Sequence, residues 1–394
     1  MTALPARAPA SPPRARVLFV NSGILGHRAV AGLIADTVRL ASSLDATHID
    51  LSRGLTLGDR IARRLFSVRL APGTGVAANL DLRRWREELN VGLLAARRIA
   101  AAERQQCFDV LHFHTQAAAY TNLRRMQRTP SIVSIDATQR LASREAVSAI
   151  GRLTYQPNIA HDRRIFSRAA AIVSTSEWAA RDLVHDDPRC ASKLQVMPYP
   201  VRPLCDAQWL ARRSSEQSRP PRVLFMGGDF PRKGGAELLE VWRSERFTER
   251  ATLDLVTDWP LDPSELPPGV SLHRGITPHS PAWTELWRHA DLFAMPTRHE
   301  AFGMVFQEAA AAGLPVVATH VNAIPEIVVD GVTGMLVPPH DRAALAHAVG
   351  TLIADGELRR RLGTAGFERA RTIYAPERYA TRLEAVVHAA LGWL

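Results

Sequence analysis

Arg222-Val223-Leu224-Phe225-Met226, running into Gly227-Gly228, is the stretch on which the fold turns. It repeats the opening of the chain, where Arg16-Val17-Leu18-Phe19-Val20 runs into Asn21-Ser22-Gly23-Ile24-Leu25-Gly26-His27. After the first opening, strand-like runs recur at Val110 to Phe113, Ile132 to Ile135 and Ala171 to Ser174. After the second they recur at Leu253 to Val256, Leu292 to Met295 and Val316 to Ala318. Helical patterns lie between them: Ala29 to Leu44 reads as a helix, and Trp85, Leu89, Leu93 and Ala96 keep the spacing of a core-facing helical row. Continuous apolar strands alternating with helices predict parallel sheets covered on both faces. The expectation is therefore two doubly wound, Rossmann-like α/β units whose strand-end loops surround one cleft.

The boundaries follow from composition. Residues 1–14, rich in Pro, Ala and Arg without an apolar block, read as a disordered lead and not as a signal peptide. The first unit is expected over 15–201, a linker over 202–221 and the second unit over 222–373. Residues 374–394 form a terminal amphipathic helix. No stretch approaches the roughly 20 apolar residues needed to span a bilayer. Cys107, Cys190 and Cys205 are scattered, which suits a reducing cytoplasm and gives no metal-site spacing.

Charge is unevenly placed. Up to Pro200 there are 28 Lys+Arg against 16 Asp+Glu, a balance of +12; the remaining 21 and 23 leave −2. Such a basic half suits anionic lipid, an acidic acceptor or nucleic acid. Leu57, Ile61, Leu65 and Val68 recur at helical spacing beside Arg60, Arg63 and Arg69, as in a helix that lies on a membrane, with Arg64 interrupting the apolar side. Only Lys193 and Lys233 are lysines among 49 basic residues. Lys233 lies in Gly227-Gly228-Asp229-Phe230-Pro231-Arg232-Lys233-Gly234-Gly235, where glycines admit a ligand close to backbone and two adjacent cations can face a diphosphate.

Glu300-Ala301-Phe302-Gly303-Met304-Val305-Phe306-Gln307-Glu308 follows the strand Leu292 to Met295. Ala301 to Met304 fall at a helix N-terminus, whose free N–H groups and dipole favour phosphate or a polar sugar edge. Glu300 precedes that point and Glu308 lies behind it, so carboxylates can hold hydroxyls on two sides of a ligand. A nucleotide sugar offers sugar hydroxyls, a diphosphate and ribose hydroxyls in that order.

The run continues through Gly313-Leu314-Pro315-Val316-Val317-Ala318, Ile324-Pro325-Glu326-Ile327-Val328 and Asp330-Gly331-Val332-Thr333-Gly334. It resembles the signature of the retaining nucleotide-sugar glycosyltransferases of family 4, which have the two-domain GT-B fold. The resemblance spans about Arg222 to Pro338 and is looser before that. It implies a fold in which the terminal helix crosses back to the first domain. It implies an enzyme transferring a sugar to a glycan or lipid-linked glycan with retention of configuration, in bacterial-type polysaccharide or glycoconjugate synthesis. Lys233 would face the diphosphate, Glu300 the donor sugar and Glu308 the ribose.

The family arginine position holds Gly228, so the second charge comes either from Arg232 or from an arginine of the first unit. Gly23 and Gly26 match the family's first glycine-rich loop, expected to close on the donor. Asp136 stands where relatives often have histidine; it either serves the acceptor hydroxyl or sugar, or caps the following helix. His112 and His114 face one way on a strand, as a packed pair or as part of the site. No cofactor and no metal are expected, since basic residues and the helix dipole replace a cation. The place expected is the cytoplasm, peripheral on the inner face of the membrane. The rivals are a nucleotide-sugar epimerase or phosphorylase on the same fold and, more remotely, a basic nucleic-acid-binding protein.

Overall fold

A computed structural model of the chain describes residues 14–23, 27–70, 81–146, 148–213 and 219–393. Most of the lead, Gly26 with its two preceding loop residues, and part of the linker lie outside them. The chain divides into two compact units. Unit 1 comprises Met1–Val173, Asp187–Gln195 and Ala380–Leu394, and unit 2 comprises Ser174–Asp186 and Val196–Tyr379.

In unit 1 the strands are β1 (Ala15–Asn21), β2 (Leu44–Asp50), β3 (Val110–His114), β4 (Ser131–Ile135), β5 (Ala171–Ser174) and β6 (Leu194–Val196). They form one sheet in the order β2-β1-β3-β4-β5-β6. β1 is parallel to both neighbours, with Val17 opposite Ala46 on one side and Val110 on the other. Val17 to Val20 are fully buried because helices cover both faces, which is why this strand is unbroken apolar sequence.

The edge strand β2 is half-exposed and carries Asp, Thr and His, so it lacks that signature. The helix expected to reach Leu44 is His27–Val38, and Leu44 opens β2. The helix Arg83–Glu103 also differs from expectation. Its buried positions are Gly92, Leu94, Ala95 and Ile99, while Leu93 is 42% exposed. A Cβ on Gly92 would stand 2.8 Å from the Cβ of Tyr120, so the helix packs through its glycine and not through the Trp85–Leu89–Leu93 row. The last turns of the helix Pro376–Leu391 belong to unit 1, where Ser43 donates to Glu384 from its N–H (2.8 Å) and its hydroxyl (2.7 Å).

In unit 2 the strands are β7 (Arg222–Met226), β8 (Thr252–Val256), β9 (Val270–His273), β10 (Leu292–Met295), β11 (Val316–Thr319) and β12 (Gly334–Val337). Their order is β12-β11-β10-β7-β8-β9, all neighbours parallel. Trp287 packs on Phe293 (5.2 Å between ring centroids) and Phe293 on Phe306 (5.9 Å), which fixes β10 to the helix Met304–Ala311. The chain winds outward from β7 in one direction and from β10 in the other. Between these two strands the order reverses, and in open α/β sheets ligands bind outside the carboxyl ends of strands at such a point. The corresponding reversal in the first sheet falls between β1 and β3.

Candidate functional site

The loops leaving β7 and β10 meet at the reversal of the second sheet. The β7 loop enters the helix Gly235–Ser244 through Gly234, at φ +78°. A Cβ there would overlap the carbonyl oxygen of Pro296, so only glycine lets the two loops touch. This brings Lys233 against Glu300: the Nζ donates to Oε2, and each side chain is 16% exposed. Burial, and then the adjacent Arg232 guanidinium, pull the Lys233 ammonium down to about 7, while Asp229 acts the other way. Contact with the Glu300 carboxylate likewise favours the charged lysine.

Arg232 donates from Nε to Asp229 Oδ2 (2.9 Å) and from Nη1 to the carbonyl of His299 (2.9 Å). It therefore ties the β7 loop to the residue before Glu300. Gly228 is exposed, and a Cβ there would meet nothing within 4 Å.

Glu300 precedes Ala301, Phe302 and Gly303; Gly303 is the N-cap of Met304–Ala311, at φ +87°. A Cβ on Gly303 would come within 3.0 Å of Glu300 Cγ, so the Glu300 side chain lies over the cap. Phe302 is buried edge-on against Tyr199, leaving its backbone as the part able to meet a ligand. One turn into the helix, the Glu308 side chain makes no hydrogen bond or ion pair among the described residues. Some of its surface remains open, yet protein surrounds the carboxyl, and this burial pushes its pKa up to about 7. A desolvated carboxylate without a partner is unstable unless a ligand supplies donors.

Several supporting residues carried no signal in the sequence reading. Asn322, at φ +51°, holds its amide nitrogen 2.8 Å from His299 Nδ1. Thr297 Oγ1 donates to the His299 carbonyl at 2.9 Å, and Arg298 pairs with Glu237. Together these fix the backbone that delivers Glu300. An αL asparagine between β11 and Ile324-Pro325 is the one feature that hints at them. The carboxylate of Glu326 accepts from the N–H groups of Glu177 (2.7 Å) and Trp178 (2.6 Å) and caps a helix.

The remaining candidates lie in unit 1. Gly23, at φ +64°, ends the described part of the β1 loop; Gly26 falls outside the described residues. Ser22 Oγ is buried without a partner among the described residues, and beside it opens a cavity of about 160 Å³ lined by Ser52, Asp59, Arg63, Asn90 and Arg97. His112 is a core residue. Its Nε2 lies 2.6 Å from Ser134 Oγ, its ring sits edge-on to Phe19, and burial drives its pKa down to about 3. His114 is equally buried, and the next residue, Thr115, has φ +98°, a strained backbone for a β-branched side chain. Asp136 is half-buried at the end of β4, two residues before Thr138 caps the helix Gln139–Arg144. Thus Lys233, Arg232, Gly228, Glu300, Ala301 to Met304 and Glu308 are gathered in unit 2, whereas Gly23 and Asp136 stand at strand ends of unit 1. Among the described residues no group of three His, Cys, Asp or Glu could hold a metal ion.

Comparison with known proteins bears on family and fold. Residues 220–355 match a family model described as glycosyl transferases group 1, and residues 58–203 match one described as glycosyltransferase family 4. A D-inositol 3-phosphate glycosyltransferase of Corynebacterium efficiens is 36% identical over 162 residues, 38% of this chain and 38% of that relative's length. The chain thus spans less than half of that curated relative. Sucrose-phosphate synthase from Thermosynechococcus elongatus superposes with a TM-score of 0.72 at 17% identity, covering 97% of this chain and 100% of that one. The Anabaena protein HepE, solved with UDP-glucose, superposes with a TM-score of 0.64 at 15% identity, covering 96% and 100%. Both likenesses are of fold, and the fold is GT-B.

Proposed function

The chain belongs to the family-4 glycosyltransferases, and on that premise we propose that it moves a sugar from a nucleotide-sugar donor to a glycan or lipid-linked glycan with retention of anomeric configuration. The observation that carries the reading is the contact of Lys233 with Glu300 at the reversal of the second sheet, with the Glu308 carboxylate, unpartnered among the described residues, one turn behind. The solved complex of HepE with UDP-glucose supports a nucleotide-sugar donor.

In this reading the donor diphosphate takes Lys233 away from Glu300 and accepts from the N–H groups of Ala301 to Met304. The released Glu300 carboxylate then accepts from hydroxyls of the donor sugar, and Glu308 accepts from the ribose. As the glycosidic bond breaks, negative charge grows on the leaving diphosphate, where the ammonium and the helix start already point. The acceptor hydroxyl attacks from the leaving-group side and gives its proton to a phosphate oxygen. Lys233 and the helix dipole carry the neutralisation that a divalent cation otherwise supplies. Asp136 and Gly23 of unit 1 serve the acceptor and the donor loop. The setting is glycoconjugate synthesis in the cytoplasm.

The experiment is nucleotide release from a panel of nucleotide sugars, with and without acceptors, for wild type and Lys233→Ala. A polyol phosphate belongs in the panel because the Corynebacterium relative is named for one. Release only when acceptor is present is expected, with turnover of the variant reduced at least tenfold and acceptor KM little changed. Normal turnover in the variant rejects the phosphate role of Lys233. Donor conversion without acceptor indicates an epimerase instead.

A further inference from the structure

The helix Leu57–Phe66 is turned inside out relative to an ordinary surface helix. Its polar side faces the protein: Asp59 is buried, completes a capping box with Thr56, and accepts from Arg97 Nη2 at 2.6 Å. Arg63 lines the cavity beneath. Past the helix, Arg86 donates to the carbonyls of Phe66 (3.2 Å) and Val68 (2.7 Å). Both ends are thus pinned by polar contacts.

The apolar row faces water. Leu57 is 73% exposed, Ile61 51%, Leu65 63%, Val68 44% and Leu70 69%. These are five of the twelve exposed large hydrophobic residues among those described, within fourteen consecutive positions. Helical spacing sets Arg60 and Arg64 on the same side as Leu57, Ile61 and Leu65, and Arg69 follows between Val68 and Leu70. All three arginines are exposed and form no ion pair among the described residues. Arg64 therefore flanks the apolar row and does not interrupt it, while Arg63 belongs to the cavity side.

An exposed apolar stripe bordered by unpaired cations, with its only carboxylate turned inward, matches one surface: lipid acyl chains beneath anionic headgroups. We propose that residues 57–70 dock unit 1 on an anionic membrane surface, with Leu57, Ile61, Leu65, Val68 and Leu70 entering the acyl boundary and Arg60, Arg64 and Arg69 meeting lipid phosphates. The balance of +12 before Val201 adds a longer-range attraction of the same sign. This docking does not depend on glycosyl transfer.

The test is flotation of the full chain with vesicles of phosphatidylglycerol and phosphatidylcholine, or of phosphatidylcholine alone, at low and high salt. Binding to the anionic vesicles only, weakened by salt, is expected. Each basic residue near such a surface strengthens attachment roughly fivefold, so Arg60→Gln with Arg64→Gln should lower affinity roughly twenty-five-fold. Ile61→Glu with Leu65→Glu should abolish flotation. Thermal midpoints and nucleotide binding of the same samples show whether each variant folds, and separate a failure of docking from a failure of the donor-site reading. Wild-type protein left in solution with anionic vesicles at low salt overturns the proposal. So does equal, salt-insensitive binding to neutral vesicles, or self-association in lipid-free buffer that Leu65→Glu removes.

Discussion

Glu308 carries opposite demands. Burial raises its pKa to about 7 from an ordinary 4.5, so the folded chain binds this proton more tightly than the unfolded chain. Between those two values the folded state holds more protons, and stability falls as pH rises through the window, by up to ~3 kcal/mol. Glu308→Gln removes that loss. The variant should melt higher than wild type at pH 8 and nearly equal to it at pH 4.5. If the carboxylate is kept for ribose hydroxyls, the same variant should bind nucleotide at least tenfold more weakly, because a charged hydrogen bond contributes about 1.5–3 kcal/mol. Calorimetry with nucleoside diphosphates alongside thermal melts checks both signs. Gly228 gives a prediction in the other direction. Its surroundings are open and its φ is not positive, so Gly228→Arg should fold normally and place a guanidinium beside the diphosphate position. Tighter nucleotide binding, several-fold at low salt, is expected; unchanged affinity would mean that the diphosphate does not pass over this loop.

At the scale of elements, the contact between the β7 and β10 loops sets the geometry on which those residues depend. Gly234→Ala meets both a positive φ and the Pro296 carbonyl, so a loss of about 1–3 kcal/mol or more is expected. Donor binding should fall with it, because Lys233 and Glu300 are displaced together; a variant with wild-type melting and affinity would show that the loops need not touch. The strands covered on both faces were legible in the sequence. In unit 1 β1, and in unit 2 β7, β10 and β11, read as unbroken apolar runs. The edge strands β2 and β9 were not legible, since one exposed side mixes polar residues into them. The rotation of Arg83–Glu103 was equally hidden, because it follows from a tertiary contact at Gly92 and not from periodicity. Within the site, Lys233 and the two glutamates stood out by type and spacing. Asn322, Thr297 and Arg298 did not, because they act through backbone carbonyls and buried pairs that leave no motif.

For the whole molecule, each sheet has one reversal of strand order, and the residues assigned to chemistry lie at the carboxyl ends of strands β1, β4, β7 and β10. The chain is more interleaved than a simple succession of halves, for Ser174–Asp186 joins unit 2 and Ala380–Leu394 joins unit 1. No helix among the described residues is long and apolar enough to cross a membrane. The central claim is that Lys233, Glu300 and the helix start at Met304 hold a nucleotide sugar for transfer with retention, using fixed protein charge in place of a divalent cation. Its most direct test is proton NMR of the anomeric centre of the product formed in excess chelator. The account predicts transfer that persists in chelator and a product with the donor's anomeric configuration. An inverted product, or activity abolished by chelator, would contradict it.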